Sequence, residues 1–112
     1  MQREFFPLTL SVVFIKDQCS TWVAQCLEFD IAAQGKTIKD AQRAFERTFL
    51  GQVMLDIHDE RQPLEGIGQA PKEYWDMFEE AEQLAARRPF RLPPGIPPAF
   101  MTAAAQDLRV WG

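Results

Sequence analysis

Between Ile38 and Ile57 the residues Ile38, Ala41, Phe45, Phe49, Val53 and Ile57 recur at three- and four-residue spacing, the period of one helical face. Ala44, Thr48 and Met54 widen the stripe, whereas Lys39, Arg43, Glu46, Arg47 and Gln52 fall off it and belong in solvent. A helical face with two phenylalanines must be covered, and in 112 residues one core has to do it. Three apolar segments ahead of the helix supply the cover. The expected architecture is a single α+β domain over residues 1–112, with a three- to four-stranded antiparallel sheet. One long helix packs across that sheet, and a shorter C-terminal helix follows.

The first strand is read from Phe5 to Lys16, with Pro7 confined to its start because proline cannot donate to a ladder. Leu8, Leu10, Val12 and Phe14 share one face and Thr9, Ser11, Val13 and Ile15 the other. The first face is the cleaner apolar one and is assigned to the helix. Asp17 to Ser20 has the length and polarity of a hairpin connection. Thr21 to Leu27 follows with apolar groups on both faces, which marks an inner strand, and Ile31 to Gln34 completes a meander. Gly35 is suited to a sharp change of direction through a positive φ. Thr37 is placed to cap the helix, with Asp40 in its first turn. Gly51 interrupts the helix, either for a close contact or as a loss of regularity.

Residues 1–58 thus form a β-β-β-α core, and 59–112 an extension. Asp59 to Ala70 holds Pro63, Gly66 and Gly68 and is read as a loop. A second helix is expected over 71–88, opened by Pro71, with the stripe Tyr74, Trp75, Phe78, Ala81, Leu84 and Ala85. A Pro-rich link over 89–98 leads to a last strand over 107–111. That tail is expected to join its own sheet or a second copy, making a homo-oligomer, with a dimer favoured.

Trp22-Val23-Ala24, the acidic connection Glu28 to Asp30, Gln34-Gly35 and Thr37-Ile38-Lys39-Asp40-Ala41 together resemble the HicB-like antitoxin family. The resemblance covers residues 8–56. It implies a small β-β-β-α-β domain related in shape to ribonuclease H, without that enzyme's activity. It also implies a role in toxin–antitoxin systems, binding and silencing a small RNA-cleaving toxin. Family members often append a DNA-binding module, and this chain departs from that pattern.

Its second helix carries Glu73, Asp76, Glu79, Glu80 and Glu82, and the net charge is −4. Both features oppose binding to a phosphate backbone, so no specific DNA binding is expected. No apolar run reaches the roughly 20 residues that span a bilayer, and MQREFFPLTL lacks the build of a secretory signal. Cys19 and Cys26, seven apart and without a CxxC pattern, suit a reduced, cytoplasmic protein, with Cys26 as core filling.

The candidate sites are few. Asp56-Ile57-His58-Asp59-Glu60 holds the only histidine, but no second histidine or HExxH pattern supports a metal. It is read as a solvated helix end. Glu28 and Asp30 resemble carboxylates of ribonuclease H-like sites, which converge on two metal ions. The first strand, however, offers only Asp17 at its far end. Pro94-Gly95-Ile96-Pro97 fits PxxP but is read as linker. No residue is assigned a catalytic, cofactor-binding or metal-ligating role. The expected function is a non-enzymatic protein-interaction module that takes a small basic toxin protein. The alternatives are a small metal-dependent hydrolase or nuclease using Glu28, Asp30 and the Asp56–Glu60 cluster, or a structural oligomerisation module.

Overall fold

The computed structural model describes residues 9–84, 88–89 and 105–111. The elements run β1 (Thr9–Lys16), β2 (Trp22–Cys26), β3 (Ala32–Gly35), α1 (Ile38–His58), α2 (Lys72–Glu80), β4 (Glu82–Gln83), β5 (Arg88–Pro89) and β6 (Ala105–Val110). The sheet order is β3-β2-β1-β6-β4, and β5 also pairs with β6. The α+β class and the long helix across the sheet are as expected. The sheet is mixed rather than antiparallel throughout. β2 occupies one edge of β1 in an antiparallel ladder, and β6 fills the other edge running parallel, from Thr9↔Ala105 to Phe14↔Val110. The C-terminal strand therefore lies inside the chain's own sheet, between β1 and β4, and belongs to the core rather than to an extension.

The assigned faces of β1 hold. Leu10, Val12 and Phe14 join Ala24, Cys26, Ile31, Ala41, Phe45, Phe49, Val53 and Leu108 in one buried cluster beneath α1. Each large side chain removed from water there contributes about 1.5–3 kcal/mol. Thr48 and Met54 lie outside it, exposed, and the buried face of α1 is widened instead by Gln42 and Asp56. On the opposite face of the sheet Val13 and Leu27 pack with Ala70 and Phe78, flanked by Tyr74, Trp75, Ala81 and Trp111. The sheet is thus covered on both sides.

Thr37 caps α1 as expected, its Oγ1 accepting the Asp40 N–H at 3.0 Å. Gly35 is needed for a different reason from the one its position suggests. A Cβ built there would stand 2.6 Å from the Asp40 carbonyl carbon, because the first turn of α1 sits directly on it. Close approach, not a left-handed turn, requires the glycine.

The second helix stops at Glu80 instead of residue 88. Ala81 turns extended (ψ 153°) and Glu82–Gln83 pair with Val110 and Arg109 of β6. The residues beyond Glu80 are good helix formers, but a free β6 edge offers them a ladder and wins over propensity. Leu84 consequently packs in the α1-side cluster, across the sheet from the α2 stripe it was expected to extend. Of the Pro-rich link, Pro89 pairs with Ala105; residues 90–98 lie outside the described residues, as do Leu8 and the start of the first strand.

Candidate functional site

Glu28 and Asp30 occupy the connection between β2 and β3, where the chain leaves the ladder. Leu27 donates its N–H to the Ser11 carbonyl at 2.9 Å, but its own carbonyl accepts from the Ala70 N–H at 2.9 Å. The Ser11 N–H is left without a ladder partner, and Glu28 Oε1 takes its place at 2.7 Å. Asp30 Oδ1 accepts from the side-chain amide of buried Gln25 at 2.9 Å, and its N–H donates to the Gly68 carbonyl at 2.8 Å. The Glu28 carboxylate thereby ties the connection to β1 and the Asp30 carboxylate ties it to β2, while the Asp30 N–H joins it to the 61–70 loop.

Asp17, the one acid that the first strand offers for a ribonuclease H-like site, closes the β1–β2 turn. Its Oδ1 accepts the N–H groups of Cys19 and Thr21 at 2.8 and 2.9 Å. Ser11 lies in β1 and Asp17 follows six residues on, just past the strand's end, so about 20 Å separates them at ~3.3 Å per residue. The three acids are not brought together.

The Asp56–Glu60 cluster is a helix terminus. The Arg61 N–H reaches the Asp56 carbonyl and the Glu60 N–H the Ile57 carbonyl, with Glu60 at φ 58°. This is a Schellman ending with glutamate where glycine is usual. Asp56 itself is buried, its Oδ2 accepting the Leu64 N–H at 2.8 Å and its Oδ1 the Gln52 amide at 3.0 Å. His58 points to solvent beside Asp59, at 3.3 Å. Among the described residues no three His, Cys, Asp or Glu side chains gather so as to hold a metal ion.

Both cysteines are free, Cys19 exposed and Cys26 buried. Burial pushes the Cys26 thiol up to about 12, which keeps it protonated and unreactive.

Solvent-facing acids concentrate on α2. Glu73, Asp76 and Glu80, at three- and four-residue spacing, share its outer face, with Glu79 and Glu82 beside them, all exposed. Lys72 pairs with Asp76 at 3.3 Å. The inner face is fixed by Arg109 of β6. Its Nη1 donates to the Phe78 carbonyl at 3.2 Å, and its guanidinium lies 4.1 Å from the Phe78 ring centroid. A cation at the carbonyl end of a helix suits the dipole. Asp107 Oδ2 lies 3.6 Å from Nη2 of the same arginine, and Asp107 Oδ1 accepts from Gln83 Nε2 at 3.3 Å. On the other face of β6, buried Gln106 donates to Glu46 Oε2 at 2.7 Å.

These β6 contacts were not legible beforehand. Gln106-Asp107-Leu108-Arg109 does not alternate apolar with polar, so neither face declares itself until both are covered. No family model, curated protein or solved structure matches the chain significantly.

Proposed function

We propose that the chain is a non-enzymatic protein-interaction module that acts in the manner of the HicB-like antitoxins, binding a small basic RNA-cleaving protein and occluding its active surface. The observation that carries this reading is the division of labour among the acids. Glu28, Asp30, Asp17 and Asp56 are each engaged by the chain's own backbone or side chains, while Glu73, Asp76 and Glu80 face outward from one helix. A protein that cleaves RNA needs a basic surface to hold phosphates. An acidic helix face is complementary to such a surface, and steers it in and covers it. The strand order adds support. Three antiparallel strands, a helix and a last strand parallel to the first follow the β-β-β-α-β plan that the resemblance implies, with α2, β4 and β5 set between α1 and β6.

The test is to purify the small basic product of an adjacent gene and measure its RNA cleavage with and without this chain. Loss of cleavage on mixing supports the reading. Undiminished cleavage, or no such neighbour, counts against it.

A further inference from the structure

The outer face of α1 lies opposite the stripe that packs on the sheet. Arg47, Gly51, Met54, Leu55 and His58 lie along it, all exposed. Three of its features have no explanation among the described residues. Gly51 stands in mid-helix, where every residue but proline is a better helix former. Yet a Cβ built there would meet nothing within 4 Å, so no neighbour among the described residues requires the small residue. Met54 and Leu55, one turn on, are the large hydrophobics left open among the described residues, at 49% and 53% exposure. Charge also changes sign along the helix. Exposed Lys39, Arg43 and Arg47 precede Gly51, with Asp40 and half-buried Glu46 the exceptions, and exposed Asp59 and Glu60 follow the last turn, ahead of Arg61, which pairs with Asp56 at 3.7 Å.

We propose that this face is the contact surface for a second copy of the chain, with the two α1 helices crossing antiparallel about a twofold axis at Gly51. In that arrangement residues equally far before and after Gly51 meet across the axis. Leu55 lies against the aliphatic stem of the partner's Arg47, and Met54 against the partner's Thr48. Arg43 comes opposite the partner's Asp59. Each contact occurs twice, as an isologous interface demands. The missing Cβ at the crossing lets the two backbones approach, and the exposed pair of hydrophobics leaves water there. Opposite charges meet at both ends of the contact. A parallel pair would set arginine against arginine, so the charge pattern selects the antiparallel one. The C-terminal strand, occupied within its own sheet, has no part in the interface.

The experiment is sedimentation equilibrium on the full-length chain at high micromolar concentration. The wild type should have twice the 12.9 kDa chain mass. Leu55→Glu and, separately, Gly51→Leu should each sediment as a single chain, with wild-type circular dichroism. Arg43→Asp should weaken the dimer, and Arg43→Asp combined with Asp59→Arg should recover it. A wild type of single-chain mass overturns the proposal. So does a dimer indifferent to Leu55→Glu and Gly51→Leu. Failure of the double reversal to recover the dimer overturns the antiparallel register.

Discussion

Asp56, in the last turn of α1, receives the Leu64 N–H on Oδ2 at 2.8 Å and so fastens the following loop to the helix that precedes it. Leu64 is held there at φ 67° with its side chain in the α1-side core, 2% exposed. One carboxylate therefore sets both a helix ending and the entry of a loop residue into the core. Asp56→Ala leaves a buried amide unpaired and should cost roughly 2 kcal/mol. Asp56→Asn, which keeps an acceptor oxygen, should cost less. Urea unfolding monitored by tryptophan fluorescence measures both, and an alanine variant as stable as wild type would contradict this role.

Two glycines should respond in opposite directions to the same change. Gly35→Ala drives a methyl group into the first turn of α1 and should destabilise by about 1–3 kcal/mol. Gly51→Ala meets nothing within 4 Å and should stabilise the folded single chain by about 0.5–1 kcal/mol through helix propensity. Thermal melts in the Leu55→Glu background separate this effect from self-association. A Gly35→Ala variant as stable as the parent would refute the close-approach account, and a destabilised Gly51→Ala would refute the open-space account of Gly51.

Cys26 and Cys19 should differ in reactivity. A thiol-exchange reagent near neutral pH should titrate one thiol in the native chain and two in denaturant. The Cys26 thiol is raised from 9.0 to about 12 by burial, with Glu28 adding to the rise. An unfolded chain loses this proton first as pH rises, so the folded state holds more protons above pH 9. Stability from this group is therefore complete below pH 9 and falls as the pH climbs towards 12. Cys26→Ala should flatten that alkaline decline, which pH-dependent urea midpoints will show.

How much of this was legible follows the range of each interaction. The α1 stripe, the Thr37 cap and the inner face of β1 are local patterns with one period, and they read directly from the residues. Gly35 stands out as a glycine, but its reason lies in Asp40 and Ala41 pressing on it, which only the folded chain brings close. Residues 81–88 have helical periodicity, whereas the β6 edge that ends α2 lies more than twenty residues away in sequence. The parallel sense of β6 has no local signature at all. Among the acids, residue type suggested chemistry, whereas each one's backbone partner (Ser11 for Glu28, Leu64 for Asp56) settled its use and could not be paired in advance.

With those partners in place, purified chain incubated with Mg²⁺ or Mn²⁺ should cleave neither RNA nor DNA above buffer controls. The alternative reading needs carboxylates free to converge on metal ions. Cleavage that disappears in Glu28→Ala or Asp30→Ala, both with wild-type circular dichroism, would establish the chain as a nuclease instead.

The most direct test of the proposed function is a titration of RNA cleavage by any small basic protein that an adjacent gene encodes. Adding the full-length chain should abolish that cleavage stoichiometrically. The charge-reversed variant Glu73→Lys, Asp76→Lys, Glu80→Lys should leave it intact at physiological salt, because the proposal assigns the acidic face of α2 as the surface that takes the basic partner. Cleavage unaffected by the wild-type chain would contradict the function proposed. Equal inhibition by wild type and the charge-reversed variant would contradict the assignment of α2 as its surface.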